Sequence, residues 1–184
     1  MTDAIVVWFS CGAASAVAAK LTVEKYGSER VRVVNSPVLE EHPDNRRFLA
    51  DVQKWVGVAI ETAVNPEYPS TSAREVWDKR RFMSSPYGAP CTVELKKEAR
   101  RHWEKSNPVA WHVLGFTVDE RHRHERFVQT ERSNVLPVLI DAGLRKADCL
   151  AVLREAGIRP PAIYSLGYPN ANCIGCVKAT SPAY

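Results

Sequence analysis

The sequence predicts an α/β fold: a doubly wound, mainly parallel sheet with helices on both faces, closed by an irregular cysteine-bearing C-terminal segment. Three observations carry this expectation. Ala4 to Phe9 is an almost unbroken apolar run, as in a strand covered on both faces. Apolar strands and amphipathic helices then alternate in the order βαβαβ, the pattern of right-handed crossovers in a parallel sheet. Gly, Pro and Asn accumulate after residue 157, where regular structure is not expected to continue.

Taken in order, the first strand ends in Ser10-Cys11-Gly12-Ala13-Ala14-Ser15, a turn of small residues that leads into a helix over Ala16 to Tyr26. Val31 to Val34 reads as a second strand. Pro43 to Val56 reads as an amphipathic helix with Phe48, Val52 and Trp55 on one face. Val58 to Ala63 reads as a third strand, and a short helix is expected from Ala73 to Met83 among several prolines. Thr92 to Lys105 has helical spacing, with Thr92 expected as N-cap. Ala110 to Thr117 returns as a strand, Asp119 to Glu131 as a charged helix, and Val135 to Ile140 as a strand or extended segment. Lys146 to Ala156 reads as a helix stopped by Gly157, Pro160 and Pro161. Residues 1–184 are expected to form a single domain, with the segment 164–184 carrying a C-x-x-C.

Composition narrows the functional classes. Across 184 residues, 25 Lys and Arg against 21 Asp and Glu give a net charge of +4, which suits a phosphorylated partner but excludes a histone-like nucleic-acid binder. No run of about 18 apolar residues and no signal-peptide pattern occurs, so a cytoplasmic protein with no membrane partner is expected. Five cysteines, an odd number, argue for metal or thiol chemistry rather than a disulfide framework.

Two motifs carry chemistry. A small-residue turn between a buried strand and a helix lets backbone amides approach an anion at the positive end of the helix dipole, with Ser10 and Ser15 adding hydroxyls. The spacing matches neither G-x-x-x-x-G-K-[ST] nor G-x-G-x-x-G. The second motif is Cys173-Ile174-Gly175-Cys176, two thiols at C-x-x-C spacing that need further ligands. Cys91 is the best third, because it opens a helix whose dipole favours a thiolate. Cys149, among helical leucines, reads as a small buried hydrophobe, although it and His102 are the candidates for a fourth zinc ligand.

Ser-x-Gly-x-x-Ser after the first strand resembles the PP-loop of the adenine nucleotide alpha hydrolase superfamily. Cys11 stands where that loop usually has its first Gly, and Ala14 where it usually has Asp. With Pro90-Cys91-Thr92-Val93-Glu94-Leu95-Lys96 and the later C-x-x-C, the chain resembles the phosphoadenosine phosphosulfate (PAPS) reductase family. The resemblance implies an adenine nucleotide as partner, either ATP or PAPS/APS, with magnesium admitted as its counter-ion. It implies nucleotide contacts from Ser10, Cys11, Gly12, Ala13, Ala14 and Ser15, from Asn35 and Ser36 after the second strand, and from Gly115, Glu120 and Arg126 after the fourth. Catalytic roles fall to Ser10, Cys11 and Arg123, the Cys11 thiol being expected to ionise readily at the helix N-terminus.

Cys91, Cys173 and Cys176 are the expected metal ligands, for a [4Fe-4S] cluster with one iron lacking a protein thiolate, as in related tRNA thiolation enzymes, or alternatively for Zn. The implied reaction is cleavage at the α-phosphate, to adenylate an acceptor or transfer sulfur. That acceptor is a nucleic acid (tRNA or DNA) or a small molecule. The alternatives are reduction of PAPS or APS to sulfite with a thioredoxin-like reductant, and a non-catalytic nucleotide-binding or assembly role. A homodimer is compatible with all three.

Overall fold

A computed structural model of the chain describes residues 4–178. The end of the expected tail, 179–184, lies outside the described residues. Five parallel strands, β1 (Ile5–Phe9), β2 (Val31–Asn35), β3 (Ile60–Thr62), β4 (Trp111–Val113) and β5 (Val135–Leu136), form one sheet in the order β3-β2-β1-β4-β5. β1 is central, and all five of its residues are buried. The strand order reverses beside β1, so the carboxyl ends of β1 and β4 diverge into the crevice where such sheets bind ligands.

The alternation of β1 side chains divides the interior in two. Ile5, Val7 and Phe9 enter the main core with α1 (Ala13–Tyr26) and α2 (Asn45–Val56). Val6 and Trp8 enter a second cluster with Val34 and Ala63, against which Trp103 packs from the opposite face. α1 is rich in alanine and so lies close to the sheet; it also packs on α7 (Val138–Asp141) and α8 (Lys146–Glu155). In α2, Phe48, Val52 and Val56 are buried at four-residue steps, while Trp55, expected on that face, is only partly buried. Gly57 stops α2 in a left-handed conformation at φ 81°.

The strands expected over 110–117 and 58–63 are confined to β4 and β3, and two further elements differ more. The helix expected from Thr92 begins earlier: α4 (Pro90–Thr92) has Ala89 as N-cap, and Thr92 makes no capping bond. Proline suits that first turn, because its missing N–H has no partner there in any case. The helix then passes through a π turn, Val93–Glu98, into α5 (Ala99–Ser106). A π turn inserts one residue and rotates the helix beyond it, so Leu95 is buried with Val38, Tyr68, Ala73 and Val76, whereas Trp103 meets Trp8. The extended segment expected over 135–140 is two residues of β5, after which Pro137 precedes the turn of α7. α3 (Ala73–Arg80) is capped by the Ser72 hydroxyl, which accepts from Glu75 N–H at 3.3 Å. α6 (Arg121–Thr130) follows a 3-10 turn, Val118–Glu120. No helix among the described residues is long and apolar enough to cross a membrane.

Candidate functional site

A cleft of about 830 Å³ opens over the carboxyl ends of β1, β2 and β4. Ser10, Gly12, Ala14 and Ser15 line one wall; Gly115, Glu120 and Arg123 line another; Cys91, Cys173 and Cys176 line a third. The fold thus brings the three sequence motifs to one site.

The Ser15 hydroxyl organises the turn. It accepts from the N–H of Ser10 at 3.2 Å and of Gly12 at 3.3 Å, donates to Gly12 O at 3.0 Å, and lies 3.2 Å from Ser10 Oγ. Ser10 itself is exposed to the cleft. Gly115, two residues beyond β4, presses on this turn: a Cβ there would come within 2.8 Å of the Ser15 nitrogen. Absence of a side chain is therefore a packing requirement at residue 115.

Cys11 contradicts its expected role. It adopts φ 54°, a left-handed conformation that explains why glycine is the usual occupant, and its thiol turns into the main core with 3% exposure. Burial, then the charge of Glu41, push that thiol up to about 12, opposite to the lowering expected from the helix dipole. Asn35 likewise serves the scaffold. Its Nδ2 donates to Phe9 O at 2.8 Å and lies 3.6 Å from Cys11 Sγ, bracing the ends of β1 and β2, and it does not line the cleft. Ser36 does line it, with its carbonyl accepting from Lys96 Nζ at 2.5 Å. Arg123 pairs with Glu120 at the rim, but Arg126, three residues further along α6, is exposed and outside the cleft.

The cysteines share a wall of the cleft. Cys91 and Cys173 pack on the Leu95 cluster together with Trp77. Burial and Glu41 push the Cys173 thiol up to about 12, with Lys96 acting in the opposite direction and Cys176 and Cys91 adding smaller upward contributions. The Glu41 and Cys173 backbones form an antiparallel bridge, which ties the C-x-x-C turn to the segment after β2. Among the described residues, no three Cys, His, Asp or Glu side chains are arranged around a metal position. The donor chemistry nevertheless fits a thiophilic group: three thiols on one wall, and beside them the buried Trp77 Nε1, a donor with no acceptor among the described residues. Neither candidate for a fourth zinc ligand reaches this wall. Cys149 is fully buried in the main core, and His102 lies outside the cleft.

Sequence reasoning missed Tyr164 and Lys146 as site residues. The Tyr164 hydroxyl accepts from Ala13 N–H at 3.1 Å, and Lys146 Nζ lies 5.6 Å from the Tyr164 ring centroid and 2.9 Å from Asn170 Oδ1. Lys96 pairs with Glu41 at 2.8 Å. In the sequence Lys96, Lys97, Arg100 and Arg101 read as a basic face suited to a phosphate, sulfate or RNA; of these, Lys96 and Arg100 line the cleft.

A parallel sheet that reverses beside its central strand, with a small-residue turn and helix N-terminus at that point, defines a doubly wound α/β fold. Among solved structures, the chain is similar to the PAPS reductase from Candida auris in its phosphate complex, with a TM-score of 0.63 and 12% identity over 93% of this chain and 81% of that chain. The chain thus has a PAPS reductase-like fold, and at this identity the likeness is one of fold alone. No family model and no curated protein matches it.

Proposed function

We propose that this protein binds an adenine nucleotide at the Ser10 to Ser15 turn and catalyses cleavage at its α-phosphate, adenylating an acceptor or preparing it to receive sulfur. The observation that carries the reading is the convergence of turn and cysteines on one cleft. The turn and the N-terminus of α1 favour phosphate oxygens. In the proposed step, an acceptor oxygen attacks the α-phosphorus, the α–β bridging bond breaks, and pyrophosphate leaves with its charge met by turn amides and Arg123.

Cys91, Cys173 and Cys176 would hold an iron-sulfur cluster or zinc, and such a group supplies a site where a sulfur atom can be bound next to the activated acceptor. The nucleic-acid or small-molecule acceptor enters from the exposed side of the cleft.

Sulfite formation from PAPS or APS is disfavoured by one observation. The thiol in the turn, Cys11, is buried and held protonated, so it does not serve as the nucleophile that reading assigns it. The test is release of pyrophosphate from ATP by anaerobically purified, metal-reconstituted protein, offered tRNA, DNA and small-molecule pools. Release that needs an acceptor and is lost in Ser10→Ala supports the reading. Sulfite release from PAPS instead would overturn it.

A further inference from the structure

The cleft extends across the top of β1, from the face that carries α1 to the face that carries α5. On the second face its floor is Trp8, with Arg100 beside it. Trp8 is fixed in place: its Nε1 donates to His112 Nδ1 at 3.2 Å, and its ring meets Trp103 edge-on at 5.5 Å. The Arg100 guanidinium lies 5.7 Å from the Trp8 ring centroid, and its Nε donates to Lys96 O at 3.2 Å. These contacts hold the stem, while among the described residues no hydrogen bond engages either Nη group.

Charge compensation is what Arg100 lacks. Lys96 has Glu41, and Arg123 has Glu120. Among the described residues, no carboxylate lies within ion-pair distance of Arg100; at longer range Arg132 and Arg101 add positive charge and Glu131 and Glu104 negative charge. Burial holds its pKa below the ordinary value, yet a guanidinium stays charged at any physiological pH. A partly buried cation facing a cleft with no direct ion-pair partner is stabilised when an anion arrives there. The π turn between Cys91 and Arg100 sets this position, since the added residue decides which side chains of 96–100 turn inward.

We infer that Arg100 forms a second oxyanion subsite, which takes a phosphate or sulfate group of the substrate distinct from the one held at the Ser10 to Ser15 turn. Phe9 and α1 belong to one core cluster and Trp8 to the other, so the two positions lie on opposite faces of the sheet. The planar fork of Arg100 matches two oxygens of a tetrahedral anion. Applied to a nucleotide, this rests on the proposed function above: the preferred ligand carries a second anionic group, either further along the 5′ chain or on the ribose.

The experiment compares binding of 5′-AMP, ADP and adenosine 3′,5′-bisphosphate by calorimetry to wild type, Arg100→Met and Arg100→Lys. Wild type should bind one of the two doubly anionic nucleotides at least about tenfold more tightly than AMP. ADP as the preferred ligand places the second group on the 5′ chain, and the bisphosphate places it on the ribose. Arg100→Met should bind all three within about threefold of one another, and Arg100→Lys, which keeps charge but not the fork, should fall between. Equal binding of the three by wild type overturns the inference, as does an unchanged preference in Arg100→Met. If wild type binds none of them, the nucleotide reading fails and inorganic sulfate decides the subsite by itself. Thermal stabilisation by sulfate that is lost in Arg100→Met supports it, and equal stabilisation of both proteins overturns it.

Discussion

The hydroxyl of Tyr164 accepts a hydrogen bond from the backbone N–H of Ala13 at 3.1 Å, which joins the C-terminal segment to the first turn of α1. The segment is anchored just before this point. Ala162 N–H donates to Asp44 Oδ2 at 2.8 Å, and Arg47 reaches the carbonyls of Arg159 at 3.0 Å and Pro160 at 3.1 Å. An amide at the start of α1, suited to an anion, is therefore occupied from within the protein. Tyr164→Phe frees it. The substitution should tighten ATP binding about fivefold and lower stability by about 1 kcal/mol, the usual net worth of one hydrogen bond. Calorimetry with ATP and a denaturation curve check both; weaker ATP binding would show that the hydroxyl helps hold the ligand.

Gly115 tests the packing of the turn. A methyl group at this position would stand 2.8 Å from Ser15 N, against backbone that cannot rotate away. Gly115→Ala should cost about 1 to 3 kcal/mol, as overpacking usually does. It should also weaken ATP binding by about tenfold or more, about 1.4 kcal/mol, as the turn shifts. Gly143, where an added Cβ meets nothing within 4 Å but φ is 70°, is the control for backbone strain without contact.

Thiol reactivity separates the cysteines. With Cys11 pushed up to about 12 and Cys149 to about 11, both by burial first, neither offers much thiolate at pH about 8. Alkylation of the native protein followed by peptide mass spectrometry should modify Cys91 and Cys176, both partly exposed, before Cys11 and Cys149. Early labelling of Cys11 would restore it as a candidate nucleophile.

Stability should fall in two acid steps. Burial, reinforced by the charges of Arg132 and Arg100, lowers His112 to about 3, so the ring stays neutral when folded. The unfolded histidine binds its proton near pH about 6.5, and stability is lost as pH falls from there towards about 3. Hydrogen bonding to Arg47 is the main cause that holds Asp44 at about 2. Its contribution is present above the unfolded value of about 3.9 and is lost as pH falls through that value towards about 2. Melting temperatures from pH about 7 to 2 should show both steps, with the upper one reduced in His112→Asn.

The order of strands and helices was legible because a covered strand writes itself as an apolar run and α2 as a four-residue repeat. The turn and the C-x-x-C were legible because their spacing is local. Other features depend on contacts far apart in sequence. Cys11 follows a left-handed backbone that turns its thiol inward, and no spacing rule signals φ. Arg126, expected to contact the nucleotide, lies outside the cleft, whereas Arg100, on the helix that passes through a π turn, lines it. Tyr164 reaches Ala13 across 151 positions of sequence, and its role is set by the anchoring of its segment on α2.

Calorimetric titration of ATP into wild type and Ser10→Ala is the measurement closest to the central claim. Ser10 is exposed at the turn, so its loss leaves the core intact. The account predicts saturable binding by wild type, weakened about tenfold, or about 1.4 kcal/mol, in Ser10→Ala. Absence of saturable ATP binding by folded, metal-reconstituted wild type, or equal affinity in the two proteins, would contradict it.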